Sequence, residues 1–520
     1  MCESRGIADP LALAVRRFPD KDMLICDGHR FTFAELGARA VTSWAILRGH
    51  GSIDGSRVVL LLPNGIDFAA MLFGAAQGGL VVVPLDPRIG TDDLAFILQD
   101  CDPTLIVTSS DGGFGGVAKV IESLEAARKS VPFVDLAVCG DGSRRQDEKE
   151  VTAWRGRKLA LMPYTSGTTS RPKGCMLSHE ALLSTWQGAA DRFGFSENEI
   201  LWNPLPMSHA TGWGPLIMAA ATGMTIVTTA RFDAERGLRQ IEEEQATYVY
   251  GGFPAVVLPL LQAARGSHSP LSSLRGLMLC APPGVLRDVQ SELPGAVVVS
   301  AYGMTEGSGI LAIAASMQSE SVRMSTCGPA LPGIEFRIAD IDDGEAVAAG
   351  QTGEIQYRGT NTFEGYFNHA GAGFTTDGWV RSGDLGSLDS EGMLTYIGRF
   401  KDMLKVGGEN VSALEIESLL ATHPSIRLAQ VVSLPDERLG ELPVAFVELE
   451  SGKQLSEEEV RSYCAERVSP FKVPAFVCFV DSWPMSTTKV RKDVLGETFT
   501  AGRGEARRDY RAHVWSYARK

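Results

Sequence analysis

The chain has 520 residues, of which 44% are hydrophobic and 22% are charged, and its 63 acidic and 49 basic side chains give a formal net charge of −14. This length exceeds what one hydrophobic core usually organises, so two or more domains are expected, and the composition excludes a disordered or fibrous protein. The negative charge disfavours nucleic acid as a partner, because phosphate backbones bind basic surfaces. The nine cysteines form no C-x-x-C pair, and no signal peptide is visible, so we expect a reduced, cytoplasmic setting.

Short apolar runs alternate with segments of helical spacing along much of the chain. Residues 58–62, 81–85 and 105–108 are predicted strands, whereas residues 33–47 and 91–99 are predicted helices. The pattern continues through predicted strands at 224–228, 248–250, 276–279 and 296–299. Alternation of this kind predicts an α/β fold with substantially parallel sheets and no membrane span.

The residue composition and the predicted secondary structure change twice in the second half of the chain. From about residue 328 to 400 it is rich in turns and short β runs, which predicts a small β subdomain. A charged, glycine-containing stretch begins at Lys401, and a compact α+β pattern follows. We therefore predict a large N-terminal domain of βα-layered sheets with its β subdomain at residues 1–400, and a small, mobile α+β C-terminal domain at residues 401–520. The last twenty or so residues are predicted to be a docked helix or a solvated tail.

A run of small hydroxyl residues follows the predicted strand at 159–162. It reads Thr165-Ser166-Gly167-Thr168-Thr169-Ser170-Arg171-Pro172-Lys173-Gly174. Backbone N–H groups and hydroxyls in such a turn, with two cations close by, suit the oxygens of a polyphosphate. The run differs from the G-x-x-x-x-G-K-[ST] loop, because Lys173 follows a proline. The pattern favours a phosphate loop over a plain polar surface turn.

A segment after the predicted strand at 296–299 also carries groups suited to a nucleotide. Ligands lie at the carboxyl ends of strands in α/β sheets, and this segment places Tyr302, Thr305 and Glu306 there. The aromatic face suits a base, the hydroxyl suits a phosphate oxygen and the carboxylate suits magnesium. A tyrosine packed in the core is the alternative interpretation.

Two later positions suit the ribose and phosphates. A fixed carboxylate such as Asp384 accepts both hydroxyl protons of a ribose diol. Arg399 offers a rigid fork of donors to phosphate or ribose oxygens. Ordinary salt bridges are the alternative for each. A polar loop near the end carries Lys489, which by itself predicts only a solvated side chain.

These four segments, in this order, resemble the acyl- and aryl-CoA synthetase branch of the adenylate-forming superfamily, from about Phe31 to Lys489. The resemblance implies that the chain uses ATP and Mg²⁺ to convert a carboxylic acid to an acyl-adenylate and then transfers the acyl group to the thiol of coenzyme A. A free-standing enzyme that loads an acyl carrier protein is the main alternative. A nucleotide-binding homologue without turnover and luciferase-like oxygenation are the others.

The resemblance also implies roles for matching positions. Nucleotide binding is implied for Thr165, Ser166, Gly167, Thr168, Thr169, Lys173, Ala281, Pro282, Tyr302, Gly303, Met304, Asp384 and Arg399. Thr305 and Glu306 are implied to contact phosphate and magnesium, with Glu306 as the metal ligand. Lys489 is implied to bridge the acid's carboxylate and the α-phosphate, where its ammonium stabilises the charge that develops during attack. The usual glycine before this lysine is replaced by Thr488.

The two-step reaction implies a moving domain. Lys401 is at the hinge position, about which the C-terminal domain rotates after adenylation. Lys405, Gly407 and Gly408 are then implied to line the thiolation site. His209 matches the gating residue of the acyl pocket, with a core histidine as the alternative.

The expected acyl pocket is bounded by residues 209–213, 251–254, 280–281 and 303–308. Its side chains are mostly apolar or small, which favours a hydrophobic fatty, alicyclic or aryl acid. The carboxylate that recognises an α-amino group is absent from 208–212, so an amino acid is disfavoured. The alternatives for the oligomeric state are a monomer and a homodimer.

Overall fold

The computed structural model describes residues 6–110, 116–139, 159–165, 171–265, 271–407, 409–436, 438–485, 490–505 and 514–515. They form a mixed α/β protein with a large N-terminal domain and a small C-terminal domain, which confirms the predicted fold class. Two mainly parallel sheets organise the large domain, an antiparallel sheet follows them, and a mixed sheet organises the small domain.

The first large sheet has seven strands. In spatial order they are Val297–Val299, Gly276–Leu279, Tyr248–Gly252, Ile200–Trp202, Thr225–Thr228, Asp22–Cys26 and His29–Thr32. All neighbouring pairs are parallel except the last, which is an antiparallel pair at one edge. The carboxyl ends of the parallel strands therefore meet at one edge, where ligands lie in α/β sheets.

The second large sheet has six strands. In spatial order they are Leu177–Ser178, Leu159–Leu161, Val81–Leu85, Arg57–Leu61, Leu105–Thr108 and Phe133–Asp135. Every residue of Val81–Leu85 is buried, as expected for a central parallel strand covered on both faces.

Helices cover these sheets and fill the connections between strands. They are Ala8–Arg17, Phe33–Gly49, Ile66–Gln77, Thr91–Cys101, Gly116–Ala127, Leu136–Cys139, His179–Phe193, Ala210–Thr222, Ala234–Glu243, Pro254–Arg265, Pro283–Glu292 and Glu320–Ser325, with a 3₁₀ turn at Thr305–Gly307. The sequence sets some of their ends directly. Phe33–Gly49 begins after Thr32, whose hydroxyl accepts a hydrogen bond from the Glu35 backbone while the Glu35 carboxylate accepts one from the Thr32 backbone.

Four antiparallel strands form the predicted β subdomain, Ile334–Ala339, Gly353–Gly359, Val380–Leu388 and Leu394–Arg399. A 3₁₀ turn at Phe400–Asp402 then leads into the last sheet. Two further short pairs join Ala301–Tyr302 to Ala312–Ile313 and Tyr164–Thr165 to Lys173–Gly174.

The small domain has apolar clusters of its own. Its strands are Met403–Val406, Glu409–Ser412, Ile426–Asp436, Gly440–Leu449, Phe476–Val480 and Val514–Trp515, and its helices are Ala413–Ala421, Glu457–Ala465 and Lys492–Glu505, with a 3₁₀ turn at Pro470–Lys472. Val514–Trp515 pairs in parallel with Phe476–Val480. The described part of the tail is thus an edge strand, and neither a docked helix nor a solvated tail was the correct prediction for it.

The described residues agree with the predicted elements of the first half of the chain. The apolar region at 58–85 folds as a strand, a helix and a strand, and no described helix is long and apolar enough to cross a membrane. The seven cysteines whose side chains are described are free thiols.

Candidate active site

Asp384 and Arg399 face each other on adjacent antiparallel strands. Nε of Arg399 lies 3.2 Å from Oδ1 of Asp384. Oδ2 of Asp384 accepts a hydrogen bond of 2.9 Å from the hydroxyl of Tyr302, which reaches it from a separate two-stranded pair. The fold thus joins three predicted nucleotide-binding residues that are widely separated in the sequence.

Burial and nearby charges set the protonation states of Tyr302 and Arg399 around Asp384. Asp384 is 4% exposed and Tyr302 is 5% exposed. Burial, followed by the charge of Asp384, raises the pKa of the Tyr302 hydroxyl well above its usual range. Burial alone lowers the pKa of Arg399, but the charges around it, with Asp384 the largest, outweigh burial and raise that pKa. Tyr302 therefore stays a neutral donor and Arg399 stays a cation.

An aromatic wall surrounds the Tyr302 ring. Its centroid lies 5.7 Å from that of Tyr396 and 6.3 Å from that of Phe336. The Cys280 thiol donates to the Ala301 carbonyl at 3.2 Å, which ties the chain before the half-buried Ala281 and Pro282 to the strand that carries Tyr302. A wall of this kind suits the flat face of a base.

Gly303 stands where the backbone turns away from Tyr302. A Cβ atom at this position would lie 1.8 Å from the Gly309 carbonyl oxygen, so only glycine fits. Met304 and Thr305 follow, both half-buried, and Met304 precedes the 3₁₀ turn that carries Glu306. The backbone of Gly309 therefore passes close to Gly303, just before this turn.

Tyr366 connects Glu306 to the stem of the predicted phosphate loop. Its hydroxyl donates a hydrogen bond of 2.7 Å to Oε1 of Glu306, and Nζ of Lys173 lies 5.3 Å from its ring centroid. Lys173 in turn lies opposite Thr165 in a short antiparallel pair. The stem of the loop and the predicted magnesium ligand therefore share one aromatic side chain.

Several predicted residues lie outside the described residues. They are Ser166, Gly167, Thr168 and Thr169 in the phosphate loop, Gly408, and the predicted catalytic lysine, Lys489. The two residues that frame the loop, Thr165 and Lys173, are described.

The surroundings of Glu306 fit a magnesium ion that is held partly by phosphate oxygens. Glu306 is 6% exposed, and its Oε2 accepts no hydrogen bond from another described residue. The hydroxyl of Tyr357, whose pKa is raised by burial and then by the charge of Glu306, is buried without a hydrogen-bond partner in the described part of the chain. No described group of three or more His, Cys, Asp or Glu side chains is arranged to hold a metal. A magnesium ion at Glu306 would therefore need phosphate and water ligands, as it commonly has beside a nucleotide.

A cavity of about 1240 Å³ lies between the two domains and gathers four predicted residues. His209, Thr305, Arg399 and Lys401 all line it. His209 precedes the helix Ala210–Thr222, and burial followed by the charge of Arg399 lowers the pKa of Lys401. The cavity thus reaches from the predicted gate of the acyl pocket to the predicted hinge.

The two described residues predicted for thiolation, Lys405 and Gly407, lie outside this cavity. Lys405 is exposed on a strand whose neighbours Leu404 and Val406 are buried, so its side chain points away from the domain core. Gly407 has φ of +62° and its N–H donates to the Leu439 carbonyl at 2.7 Å. Neither Lys405 nor Gly407 lines the cavity. A thiolation role for them stays a prediction that requires domain rotation.

Asp86 lines the cavity and pairs with Arg88, and neither residue was predicted. The backbone N–H and Nε of Arg88 each donate to Oδ1 of Asp86 at 2.8 Å, and Nη2 donates to Oδ2 at 2.5 Å. Burial raises the pKa of Asp86, but these bonds and the charges of Arg88 and His209 outweigh burial and lower it. Their position directly after the parallel strand Val81–Leu85 was the available signal. Tyr366 had no comparable signal in the sequence.

The fold and this site together define an α/β protein of two domains with a cleft between them. Two family models match the chain, "AMP-binding enzyme" over residues 11–367 and "AMP-binding enzyme C-terminal domain" over residues 415–489. The first match alone covers more than half of the chain. The chain belongs to the AMP-binding enzyme family.

Similar proteins agree with this assignment. The chain is 29% identical to the mitochondrial medium-chain acyl-CoA ligase ACSF2 of Danio rerio, over 95% of this chain and 88% of that protein. It is 30% identical to 4-coumarate--CoA ligase 5 of Oryza sativa subsp. japonica, over 93% of this chain and 92% of that protein. The solved structure of o-succinylbenzoate coenzyme A synthetase (MenE) from Bacillus subtilis, in complex with ATP and magnesium ion, matches with a TM-score of 0.80 and 27% identity, over 93% of this chain and 98% of that one.

Proposed function

We propose that this protein is an AMP-forming acid–thiol ligase, which converts a carboxylic acid to an acyl-adenylate with ATP and Mg²⁺ and then transfers the acyl group to coenzyme A. The observation that supports it most is the ion pair between Arg399 and Asp384. The charge of Glu306 also raises the pKa of Arg399, so Glu306 lies near this pair. The predicted ribose site and the predicted magnesium ligand therefore adjoin. Relatives whose names state CoA ligase activity support the same reaction.

Each part of a bound ATP has a proposed set of partners. The adenine lies against Tyr302 beside Ala281 and Pro282, and the ribose hydroxyls bond Asp384. Arg399 holds ribose or phosphate oxygens through its donor fork. These residues orient the nucleotide so that its α-phosphorus faces the acid.

The phosphates have a second set of partners. Thr165, Lys173 and the loop between them hold the β- and γ-phosphates, with Thr305 as a further donor. Glu306 holds magnesium, which when bound neutralises phosphate charge during the attack. Tyr366 keeps the Glu306 carboxylate in place through its hydrogen bond.

Adenylation requires a cation where the acid meets the α-phosphate. We assign this role to Lys489, whose ammonium would stabilise the charge that builds as the carboxylate oxygen bonds phosphorus and pyrophosphate leaves. Residues 401–520 carry it as a mobile domain, with residues 1–400 as the adenylation domain and Lys401 as the hinge. Rotation about Lys401 would withdraw Lys489 and present Lys405, Gly407 and Gly408 to the incoming thiol.

The products distinguish the proposed acceptor from the alternatives. The protein is incubated with ATP, Mg²⁺ and a panel of fatty, alicyclic and aryl acids, with either CoA or a phosphopantetheinylated carrier protein, and the thioesters are measured by mass spectrometry. We expect AMP and acyl-CoA, each dependent on the acid. Thioester on the carrier alone would favour the carrier-loading enzyme, and no AMP with any acid would contradict the proposed function. A cytoplasmic location and a monomeric or homodimeric state belong to the same proposal.

A further inference from the structure

Trp186 fills the space behind the predicted acyl pocket. It lies on the helix His179–Phe193, is fully buried, and its Nε1–H donates a hydrogen bond of 3.0 Å to the Ser308 carbonyl. Its ring centroid lies 6.1 Å from that of Trp213 in an edge-to-face contact, and 6.4 Å from that of Tyr250. Three aromatic rings therefore pack between two helices and the strand Tyr248–Gly252.

Two glycines make room for the Trp186 ring. A Cβ atom on Gly309 would lie 2.6 Å from Cζ2 of Trp186, and one on Gly214 would lie 1.9 Å from the same atom. Gly309 has φ of +118°, a conformation that glycine adopts without strain. The indole thus occupies the volume that side chains at 214 and 309 would otherwise take.

The wall of the cavity lies directly in front of this ring. The cavity lining includes Ala210 and Thr305 but none of the three aromatic residues. The Ala210 Cβ lies 3.5 Å from where a Gly309 Cβ would be, so Gly309 lies beside Ala210, which lines the cavity. Trp186 and Trp213 have 0% exposure and Tyr250 has 2%. Three buried aromatic rings therefore lie behind the described residues of this wall.

We propose that Trp186 forms the floor of the acyl pocket and restricts this enzyme to short, compact acids of the acetate-to-butanoate class. The proposal rests on the proposed function and narrows its substrate. A close-packed interior resists an added methylene, because the rings must leave their packed positions to admit it. A longer acid would have to displace Trp186, break its bond to Ser308 and separate it from Gly309.

Binding of stable acyl-adenylate analogues tests this without requiring turnover. The probes are 5′-O-(N-acylsulfamoyl)adenosines with acetyl, butanoyl, octanoyl and dodecanoyl groups, measured by titration calorimetry against AMP. For the unmodified protein we expect the tightest binding with the acetyl or butanoyl group, and binding at least about tenfold weaker with octanoyl. Equal affinity for butanoyl and dodecanoyl analogues would overturn the proposal.

Variants of Trp186 test whether this side chain sets the preference for acyl length. Trp186→Leu should move the preference towards octanoyl, and Trp186→Phe should move it less. Trp202→Leu is a matched control, because Trp202 is also fully buried, donates from Nε1 to Gln240 at 3.1 Å, and lies 2.6 Å from a Cβ placed on Gly237. An unchanged preference in a folded Trp186→Leu variant that still binds AMP would overturn the proposal.

Failure of the proposed function and failure of the Trp186 floor would give different results. If AMP and every analogue fail to bind the folded protein, the proposed function is wrong and this proposal falls with it. If AMP binds and affinity is flat across the acyl series, the floor alone is wrong. If Trp186→Leu does not fold, the series on the unmodified protein and on Trp186→Phe decides the question.

Discussion

The Arg399 guanidinium lies beside the Asp384 carboxylate, with Nε 3.2 Å from Oδ1, and the Tyr302 hydroxyl bonds the other oxygen of the same carboxylate at 2.9 Å. Asp384 therefore joins the predicted base, ribose and phosphate contacts. A change at this carboxylate should affect nucleotide binding more than any other step.

Asp384→Asn should weaken AMP and ATP binding about tenfold to a hundredfold, since hydrogen bonds to a charged group are worth about 1.5–3 kcal/mol. Titration calorimetry measures the affinity. Asp377→Asn is the control, because Asp377 pairs with Arg337 at the surface and is not part of the group formed by Tyr302, Asp384 and Arg399. Surface ion pairs contribute little to stability. Equal losses in the two variants would show that Asp384 has no specific nucleotide role.

Tyr366→Phe should raise the Mg²⁺ concentration needed for ATP binding by about tenfold, because Glu306 loses the hydrogen bond that holds its Oε1. AMP binding without metal should stay nearly the same. Binding of ATP is titrated at a series of Mg²⁺ concentrations. Tyr463→Phe, in the small domain beside Thr422, is the control. If the variant keeps the Mg²⁺ dependence of the unmodified protein, Tyr366 does not position Glu306.

Lys489→Ala should abolish adenylate formation while thioester formation from supplied acyl-adenylate continues largely intact, because only the first step develops charge at the α-phosphate. The two half-reactions are measured separately. Lys453→Ala, an exposed lysine of the same domain, should leave both unchanged. Equal loss of both half-reactions in Lys489→Ala would refute the assigned role.

Lys401→Pro should have the reverse effect. Proline fixes φ near −65°, so a hinge at Lys401 would be trapped in one domain arrangement, with adenylation preserved and thioester formation lost. Lys401→Ala keeps the backbone free and should support both steps. Full turnover by the proline variant would exclude a hinge at this position.

His179 should make stability depend on pH in the acid range. It is 1% exposed, its Nδ1 accepts a hydrogen bond from the Ile7 backbone, and burial lowers its pKa from 6.5 to about 4. The unfolded chain takes up this proton below about pH 6.5 while the folded chain resists it, so stability falls as the pH is lowered from about 6.5 to about 4. The loss should reach at most about 3 kcal/mol.

Denaturant unfolding from pH 7.5 to 4 measures this contribution. His179→Asn retains an acceptor for Ile7 and should show a shallower fall than the unmodified protein. His50→Asn, at the exposed end of a helix, should not change the slope. Parallel pH profiles for the unmodified protein and His179→Asn would show that His179 is not responsible.

The sequence predicts the parts of this protein that depend on local patterns. The parallel strands are continuous apolar runs, and Tyr302 and Glu306 directly follow one of them, so their position at a sheet edge follows from strand and turn signals. Asp384 and Arg399 were predicted as separate ligands. Their pairing depends on the register of two antiparallel strands, which only the fold reveals.

Other parts depend on contacts between distant segments. Tyr366 bonds Glu306 across 60 positions of sequence, and Trp186 bonds Ser308 across 122. Neither contact has a local signature, because an isolated tyrosine or tryptophan fits many buried environments. Gly309 likewise has no local signal, because glycine is needed there to leave room for the Trp186 ring. Such residues are recognised only once packing is known.

Acid-dependent exchange of labelled pyrophosphate into ATP measures adenylate formation by itself, because it requires reversible acyl-adenylate formation and no thiol. The protein, ATP, Mg²⁺ and labelled pyrophosphate are mixed with each acid of the panel, and label in ATP is counted. We predict exchange that needs an acid and is lost in Lys489→Ala. Absence of exchange with every acid, in a folded protein that binds AMP, would contradict the assignment as an adenylate-forming ligase.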